Sequence, residues 1–345
     1  MKTVTIAIPS LHRPDLTARC IDSIQKQTLP AAEWEIVVIE NEARPDAILA
    51  DPLPPNTRRI ELITNEGTTG SINRAVSATE SQYILLLNND IDLAPDYIEK
   101  LARALEVDPK LGFAIGKLMR TTQPTHLDGA GDAILMAGAA YRLGNLDADH
   151  GQFDQPGPLL TACGAAVLYR RSAFVAGGSL DEQFFAYLDD VDLSLRAHLM
   201  GYLGVYVPDA VAWHVGSATL GGALHPLVIE YLTRNQIFLV LKDYPRPVFL
   251  RLLPRIAVYQ LLWLLFVLRN GGLGSYFRGL FAVLRLSGSM RRKSRQLMSR
   301  RRLRDAELLN RLRDSERQIY DWQQTLPPQS RSSLLNLYFR IFPKP

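Results

Sequence analysis

Short apolar runs alternate with helical patterns along the first 245 residues. Four of these runs predict buried strands. They are VTIAIP (Val4–Pro9), WEIVVIE (Trp34–Glu40), RIELIT (Arg59–Thr64) and YILLLN (Tyr83–Asn88). Strands that alternate with helices form right-handed βαβ units, so we predict an α/β fold with a mostly parallel central sheet flanked by helices.

Helical patterns fill the segments between and after these strands. Leu16, Cys20 and Ile24 recur at four-residue spacing behind Pro14, a favoured residue at the start of a helix. Further helices are predicted from near Gly70, over residues 95–107, from the acidic start of DDVDLSLRAHLMGY and over EYLTRNQIFLVLKDY. GAAVLYRR predicts a strand or a helix, LGVYVPDAVAWH predicts one or two strands, and residues 119–158 predict an irregular insertion that covers one edge.

Polar residues and glycines lie at the end of each of the four strands. They are Ser10, His12 and Arg13, then Glu40, Asn41 and Glu42, then Asn65, Gly67, Gly70 and Asn73, and finally Asn88, Asn89, Asp90 and Asp92. The carboxyl ends of parallel strands meet at one edge of a sheet, which is where ligands bind. This edge is acidic, so we expect a nucleoside diphosphate to bind there only with a divalent metal, Mg²⁺ or Mn²⁺.

The charge of the chain is unevenly distributed. The 345 residues carry a net charge of +4, but residues 1–245 hold 19 Lys and Arg against 30 Asp and Glu, and residues 246–345 hold 20 against 5. The resulting balances of −11 and +15 predict different surroundings for the two parts.

Cys20 and Cys163 offer no disulfide framework, which favours a reducing compartment. A strand pattern begins directly after residue 3, so we expect no signal peptide.

The last hundred residues combine apolar helices with arginine. The uncharged stretch Ile256–Leu268 has 13 residues, fewer than the roughly 20 that span a bilayer. Eight Lys or Arg lie between Arg291 and Arg304. This pattern favours helices lying on an anionic membrane surface, and the alternative is a helical appendage packed on the core with solvated arginines. No aromatic residues are interleaved with the basic run, so we expect no nucleic-acid partner.

Seven stretches in order resemble the family 2 glycosyltransferases, which have the GT-A fold. They are VTIAIPSLHRPDL, IVVIENEARPD, TNEGTTGSINRAV, YILLLNNDIDL, TACGAAVLYRRSAF, GGSLDEQFFAYLDDVDLSLRAHLMGY and VPDAVAWHVGSAT. The likeness is to the rhamnosyltransferase-like branch of bacterial surface-polysaccharide enzymes, and it covers about residues 3–245. We therefore expect a GT-A catalytic domain over residues 1–245 and a basic amphipathic helical region over residues 246–345.

The resemblance also implies roles for individual residues. The donor nucleotide would be bound by Pro9, Ser10, Arg13, Glu40, Gly67, Asn73 and Asn89. Asp90 occupies the position that holds the divalent metal in this family, and His214 matches a histidine that completes the metal site in some members. Asp189 and Asp190 match the acidic pair that supplies the general base, and we favour Asp190. Three nearby residues are expected to have no catalytic role. Asp92 and Asp192 would be structural, and Cys163 would be a small packing residue.

The chain departs from the common family pattern at several positions. Glu40 stands where Asp is usual, Asn88 and Asn89 replace carboxylates, and Asp189 stands where Glu is usual. The stretch TTGSIN also lacks an arginine often found just before Asn73. These differences leave open which nucleoside is bound.

The resemblance implies an inverting, metal-dependent glycosyltransferase with a nucleotide-sugar donor. The first expectation is rhamnose from dTDP-rhamnose, passed to a saccharide or polyprenyl-linked acceptor, with the protein cytoplasmic and peripheral on the inner face of the cell membrane. One alternative is a sugar nucleotidyltransferase, although the loop PSLHRPDLT lacks the glycines that would hold a triphosphate. Another is a non-catalytic assembly protein on the membrane. A dehydrogenase is disfavoured, because no G-x-G-x-x-G follows the first strand.

Overall fold

The computed structural model describes residues 2–216 and 224–343. Its strands are β1 Val4–Ser10, β2 Trp34–Glu40, β3 Thr57–Glu61, β4 Tyr83–Leu87, β5 Ile91–Leu93, β6 Leu111–Arg120, β7 Leu127–Gly129, β8 Asp132–Ile134, β9 Ala140–Arg142, β10 Gly157–Leu159, β11 Ala166–Arg170 and β12 Leu203–His214. Its α-helices are α1 Pro14–Ile24, α2 Gly67–Ser77, α3 Tyr97–Glu106, α4 Arg171–Gly177, α5 Asp189–Leu199, α6 Pro226–Asp243, α7 Arg246–Arg269, α8 Leu273–Arg300, α9 Asp305–Thr325 and α10 Ser333–Ile341. Residues 217–219, at the end of the VPDAVAWHVGSAT stretch, lie outside the described residues.

The central sheet is mixed. Its strand order is β10-β12-β6-β11-β4-β1-β2-β3, with β5 paired to β12 and β7 paired to β6. The half formed by β4, β1, β2 and β3 is parallel, as the βαβ pattern predicts. By contrast, β11 lies antiparallel between β4 and β6, while β6 and β12 run parallel to each other. The predicted parallel arrangement therefore describes one half of the sheet.

Strand β4 is an uninterrupted apolar run because both of its faces are buried. Leu85 and Leu87 pack with α1 and α3 on one side of the sheet. Ile84 and Leu86 pack with α2 and α5 on the other side. Burying a leucine side chain stabilises a fold by about 1.5–3 kcal/mol, so this strand anchors the edge at which it ends. The predicted face of α1 is also confirmed, because Leu16, Cys20 and Ile24 are buried.

Strand β6 is not predicted by the apolar pattern, although it lies inside the sheet. Two glycines and a lysine interrupt its apolar positions in LGFAIGKLMR. At Gly116 a side chain is excluded, because a Cβ atom there would lie 2.1 Å from the carbonyl oxygen of Ala210 on β12. The glycine that weakens the strand pattern in the sequence is thus what lets β6 and β12 pack closely.

The helices after residue 245 share their core with the part of the chain that precedes them. One cluster joins Phe238 of α6 to Val248 and Leu252 of α7 and to Leu308 of α9. A second cluster joins short strands of the 119–158 segment to α7, α9 and α10. The division at residue 245 stays a prediction. By length and composition α7 could cross a membrane, although a third of its most apolar part is buried within the protein and core helices meet the same criteria.

Candidate active site

Residues from three chain segments meet where β1 and β4 end. Thr17 of α1 donates from its hydroxyl to the Ser10 hydroxyl over 3.0 Å. The Asn89 amide donates to the Thr17 hydroxyl over 3.2 Å. Ser10 and Asn89, both predicted donor-site residues, are therefore held together. Pro9 is half-buried beside them, and Arg13 lies at the surface in an ion pair with Asp15.

A second group forms where β2 ends and α2 begins. The buried Glu40 carboxylate accepts a hydrogen bond of 2.9 Å from the backbone N–H of Leu49. Asn41 donates to the Asn65 side chain over 2.8 Å and accepts from the backbone N–H of Glu66 over 2.8 Å. These contacts fix the loop that precedes Gly67 at the start of α2.

Asp90, Asp128 and His214 form a contiguous group that we call the strand-end site. His214 Nε2 lies 3.3 Å from Asp90 Oδ1, and His214 Nδ1 lies 2.7 Å from Asp128 Oδ2. All three side chains are nearly buried. Burial opposes the charge on His214, but the hydrogen bonds that its ring donates to Asp128 and Asp90 outweigh burial and raise the pKa of this histidine to about 9.

The donor set of the strand-end site fits a divalent cation. A carboxylate oxygen of Asp90 and the Nε2 nitrogen of His214 lie close enough to bind one ion, and a cation there would replace the proton on Nε2. A metal-binding histidine usually donates its other ring N–H to a carboxylate, which is the relation between His214 and Asp128. Asp128 thus orients His214 toward Asp90.

Asp189 and Asp190, with Asp132 and Cys163, form a second acidic group that we call the helix-start site. One ligand-type atom each from Asp132, Cys163 and Asp190 lies within 4.8 Å of the other two. Arg142 connects this group to the strand-end site: its guanidinium lies 2.6 Å from Asp128 Oδ2 and 3.5 Å from Asp132 Oδ1. Cys163, expected to be a packing residue, is buried beside these carboxylates.

Backbone N–H groups hold Asp190 in place. Its Oδ2 accepts from Gly164 over 2.5 Å, and its Oδ1 accepts from Val191 over 2.8 Å. Burial raises the pKa of Asp190, and those backbone hydrogen bonds oppose the rise. Burial and the neighbouring Asp190 raise the pKa of Asp189 to about 8, and burial raises that of Asp132 to about 6.

Asp192, the third acidic residue of this helix start, is engaged elsewhere. Its carboxylate forms buried ion pairs with Arg196, at 3.0 Å from Nε, and with Lys242. Asp92 likewise pairs with Arg19 at the surface. Both residues have the structural contacts expected from the sequence.

A strained loop leads into the helix-start site. Phe185, Tyr187 and Leu188 all have positive φ angles of 61–67°, a conformation that costs a side-chain-bearing residue of order 1–3 kcal/mol. The Asn235 amide on α6 donates to the carbonyl oxygens of residues 184, 186 and 187, at 3.1, 2.9 and 2.7 Å. Gly67 completes the support, because a Cβ atom there would lie 2.3 Å from the carbonyl oxygen of Phe185.

Asn73, predicted to bind the donor, supports the chain just before this loop. Its amide donates to the Leu180 carbonyl over 2.9 Å, and its oxygen accepts from the Leu180 N–H over 3.1 Å. A further hydrogen bond of 3.2 Å reaches Glu182. Both ends of the Asn73 amide are therefore occupied by the segment that leads to Asp189 and Asp190.

The sequence does not identify Asp128, Asp132, Arg142 or Asn235 as parts of the site. The first three lie in the 119–158 segment, interpreted as an insertion that covers an edge. The available signal was the run HLDGAGD, in which two carboxylates stand among glycines. Asn235 is part of an otherwise ordinary helical pattern and carried no signal.

The chain has the GT-A fold of glycosyltransferases. It superposes on the crystal structure of GalNAc-T7 solved with UDP, GalNAc and Mn²⁺, with a TM-score of 0.52 and 14% sequence identity over 69% of this chain and 48% of that one. The family model for glycosyl transferase family 2 matches residues 5–177, half of the chain. The chain belongs to glycosyl transferase family 2, and the predicted resemblance is confirmed.

Curated relatives are similar to about half of the chain. An N-acetylglucosaminyl-diphospho-decaprenol L-rhamnosyltransferase of Mycobacterium tuberculosis is 28% identical over 188 residues, which are 46% of this chain and 59% of that protein. The O-antigen biosynthesis protein RfbC of Myxococcus xanthus is 28% identical over 207 residues, 57% of this chain and 16% of that protein. The chain thus spans less than two thirds of the length of each of these relatives.

Proposed function

We propose that the chain is an inverting, metal-dependent glycosyltransferase of surface-polysaccharide synthesis. It transfers a sugar, rhamnose from dTDP-rhamnose, to a hydroxyl of a lipid-linked saccharide. The observation that carries this proposal is the pair of separate acidic sites, joined through Arg142, at the edge where β1 and β4 end. A rhamnosyltransferase and an O-antigen biosynthesis protein among the relatives support the choice of sugar and process.

In this mechanism Asp190 is the general base. Each of its oxygens accepts one backbone N–H and keeps a lone pair for the acceptor hydroxyl. The acceptor oxygen attacks the anomeric carbon of the sugar, its proton passes to Asp190, and the bond from that carbon to the diphosphate oxygen breaks. Burial, which raises the pKa of Asp190, makes it a stronger base than a surface carboxylate.

In the proposal the donor diphosphate lies at the strand-end site. Asp90 and His214 would hold a divalent metal, Mg²⁺ or Mn²⁺, which when bound neutralises charge on the departing diphosphate. Asp128 keeps His214 oriented through Nδ1. Ser10, Asn89 and Glu40 line the nucleoside side of the same edge. The GT-A structure solved with UDP and Mn²⁺ supports a cation at such a fold.

We also propose that the protein lies on the inner membrane surface. Leu250, Leu261, Leu265 and Leu268 are about half exposed along one side of α7. Phe277, Phe281 and Leu284 are exposed on α8 at 60–76%. Exposed apolar side chains beside a run of arginines are the pattern of helices that lie in an anionic membrane interface.

Thermal unfolding with nucleotides tests the donor site. dTDP, UDP and GDP are compared, each with and without Mn²⁺ or Mg²⁺. A ligand present at 100 times its Kd stabilises by about 2.7 kcal/mol, so we expect dTDP to raise the Tm measurably and only with metal. Equal stabilisation by all three, or by none, would contradict the donor assignment. Mass spectrometry of the acceptor then tests transfer of rhamnose.

A further inference from the structure

A groove of about 530 Å³ lies between α6 and α8, outside the two acidic sites. We call it the α6/α8 groove, and its side chains include Arg234, Phe277, Arg278, Phe281 and Arg285. Its volume is within the roughly 300–1,000 Å³ range of small-molecule sites. Neither acidic site includes these residues, and Phe277 and Phe281 are among the exposed side chains proposed above to face the membrane.

The groove reaches the strained loop before Asp189. Arg234 donates from Nη2 to the carbonyl oxygen of Phe184 over 2.5 Å, and its guanidinium lies 4.9 Å from the centre of the Tyr231 ring. Tyr231 in turn packs on Phe185, with 5.6 Å between ring centroids. A ligand in the groove would therefore lie beside the segment that carries the proposed base.

The charges in the groove favour an anion. Three arginines face one carboxylate, Glu230, which is 2.8 Å from Arg278. Arg234 is nearly buried, and within residues 2–216 and 224–343 no carboxylate lies within 4.0 Å of its guanidinium. No carboxylate of these described residues lies within 4.0 Å of the guanidinium of Arg285 either, and Arg285 is exposed. Burying a cation without a counter-ion is costly, and burial lowers the pKa of Arg234, so a bound anion would offset this cost.

The other lining of the groove favours hydrocarbon. Phe277 and Phe281 are 60% and 67% exposed, and Leu286 lines the groove with them. Arginine beside exposed aromatic rings matches a ligand that has an anionic group next to an apolar chain.

We propose that the α6/α8 groove binds the diphosphate and first isoprenoid units of a polyprenyl-diphosphate-linked acceptor. This inference rests on the proposed function, since it names the acceptor class of the same enzyme. The arginines hold the diphosphate and the phenylalanines contact the isoprenoid chain. The attached saccharide then extends past the loop toward Asp190. A bilayer phospholipid carries the same phosphate and hydrocarbon chemistry, so the test must separate the two sources.

Calorimetric titration with farnesyl diphosphate tests the groove without requiring catalysis. We compare the wild-type chain, Arg285→Gln, and Arg291→Gln as the control, because Arg291 is also exposed on α8 but does not line the groove. We expect Arg285→Gln to weaken binding about tenfold, the loss of one charge-assisted contact, and Arg291→Gln to change it less than twofold. Equal affinities of Arg285→Gln and the wild type would overturn the proposal.

Two further ligands identify the source of the anion. Inorganic diphosphate should bind at least tenfold more weakly than farnesyl diphosphate, because it buries no hydrocarbon. Water-soluble dihexanoyl-phosphatidylglycerol should compete poorly. Equal binding of inorganic diphosphate would reduce the groove to an anion site, and equal competition by the phospholipid would assign it to bilayer lipid; either result overturns the proposal.

A matched apolar pair tests the isoprenoid contact. Phe281→Ala should weaken farnesyl diphosphate binding, whereas Leu261→Ala, an exposed apolar position on α7, should not. The failure of the groove proposal can be distinguished from the failure of the proposed function. Farnesyl diphosphate binding with this pattern in a chain that transfers no sugar would sink the transferase proposal alone. Transfer to a lipid-linked acceptor with Arg285→Gln and the wild type having equal KM would sink the groove alone.

Discussion

The strand-end site and the helix-start site lie at one edge of the sheet and differ in what balances their carboxylates. At the strand end, Asp128 contacts His214 and Arg142, and these partners outweigh the effect of burial to lower its pKa. At the helix start, burial and the neighbouring carboxylate of Asp190 raise the pKa of Asp189 to about 8. Acidic residues at the same edge of the sheet therefore differ in proton affinity: the pKa of Asp128 is lowered and that of Asp189 is raised.

Under the proposed mechanism, this contrast explains why two carboxylate sites are needed. The proposed cation site requires Asp128 to stay ionised so that it can orient His214, and the basic partners of Asp128 provide that. A general base requires a raised proton affinity, and burial at the helix start provides that. A single carboxylate bound to a cation would lose the basicity that proton transfer requires.

Removing the base should have the largest effect. Asp190→Asn keeps the shape of the side chain but cannot take the acceptor proton, so kcat should fall by about 10²–10⁴-fold. The Tm shift caused by dTDP with Mn²⁺ should remain, because the strand-end site is unchanged. Asp189→Asn, measured in the same assay, decides between the two carboxylates: a loss as large as that of Asp190→Asn would show the base to be misassigned.

Removing the partner of the histidine should have the next largest effect. Asp128→Asn leaves His214 without its carboxylate, and outer-shell changes of this kind weaken metal binding about 10–100-fold. Electron paramagnetic resonance of bound Mn²⁺ measures the affinity directly. The control is Asp92→Asn, which removes a surface carboxylate paired with Arg19. If Asp128→Asn bound Mn²⁺ like the wild type, the strand-end site would not be the cation site.

Loosening the loop should have a smaller effect, confined to the helix-start site. Asn235→Ala removes three hydrogen bonds to the carbonyls of residues 184, 186 and 187. A loss of about 1.4 kcal/mol in positioning the base would lower kcat roughly tenfold. Gln236→Ala truncates the next amide on α6, whose side chain instead meets Gln260, and should leave kcat near that of the wild type. A reduced Mn²⁺ affinity in Asn235→Ala would contradict a role limited to the loop.

The last effect concerns stability and its pH dependence rather than catalysis. Asp189 has an ordinary pKa of 3.8 when unfolded and about 8 when folded. Between these values the unfolded chain loses its proton first, so stability falls as pH rises, by up to about 1.4 kcal/mol per pH unit from this group. Asp189→Asn removes that contribution. Urea unfolding at pH 5.5 and pH 8 should show a shallower decline for the variant, and identical declines would disprove the raised pKa.

The parallel half of the sheet and the family could be predicted from the amino-acid pattern alone. Apolar runs with polar ends specify β1, β2 and β4, because a strand buried on both faces must be apolar along its length and can carry polar groups only where it ends. Ordered motifs also indicated Asp90, Asp190 and His214, since each stands at the end of an element or the start of one.

Which side chains meet could not be predicted in this way, because it depends on how distant segments pack together. Asp128 and Arg142 come from a glycine-rich segment without periodicity, and their partners are 86 and 14 residues away along the chain. Asn235 supports a loop about 50 residues earlier. The pKa differences between the two acidic sites likewise follow from burial and neighbouring charge, which depend on packing. Local sequence fixes the type of side chain at each position, whereas contacts between distant segments set its electrostatic environment.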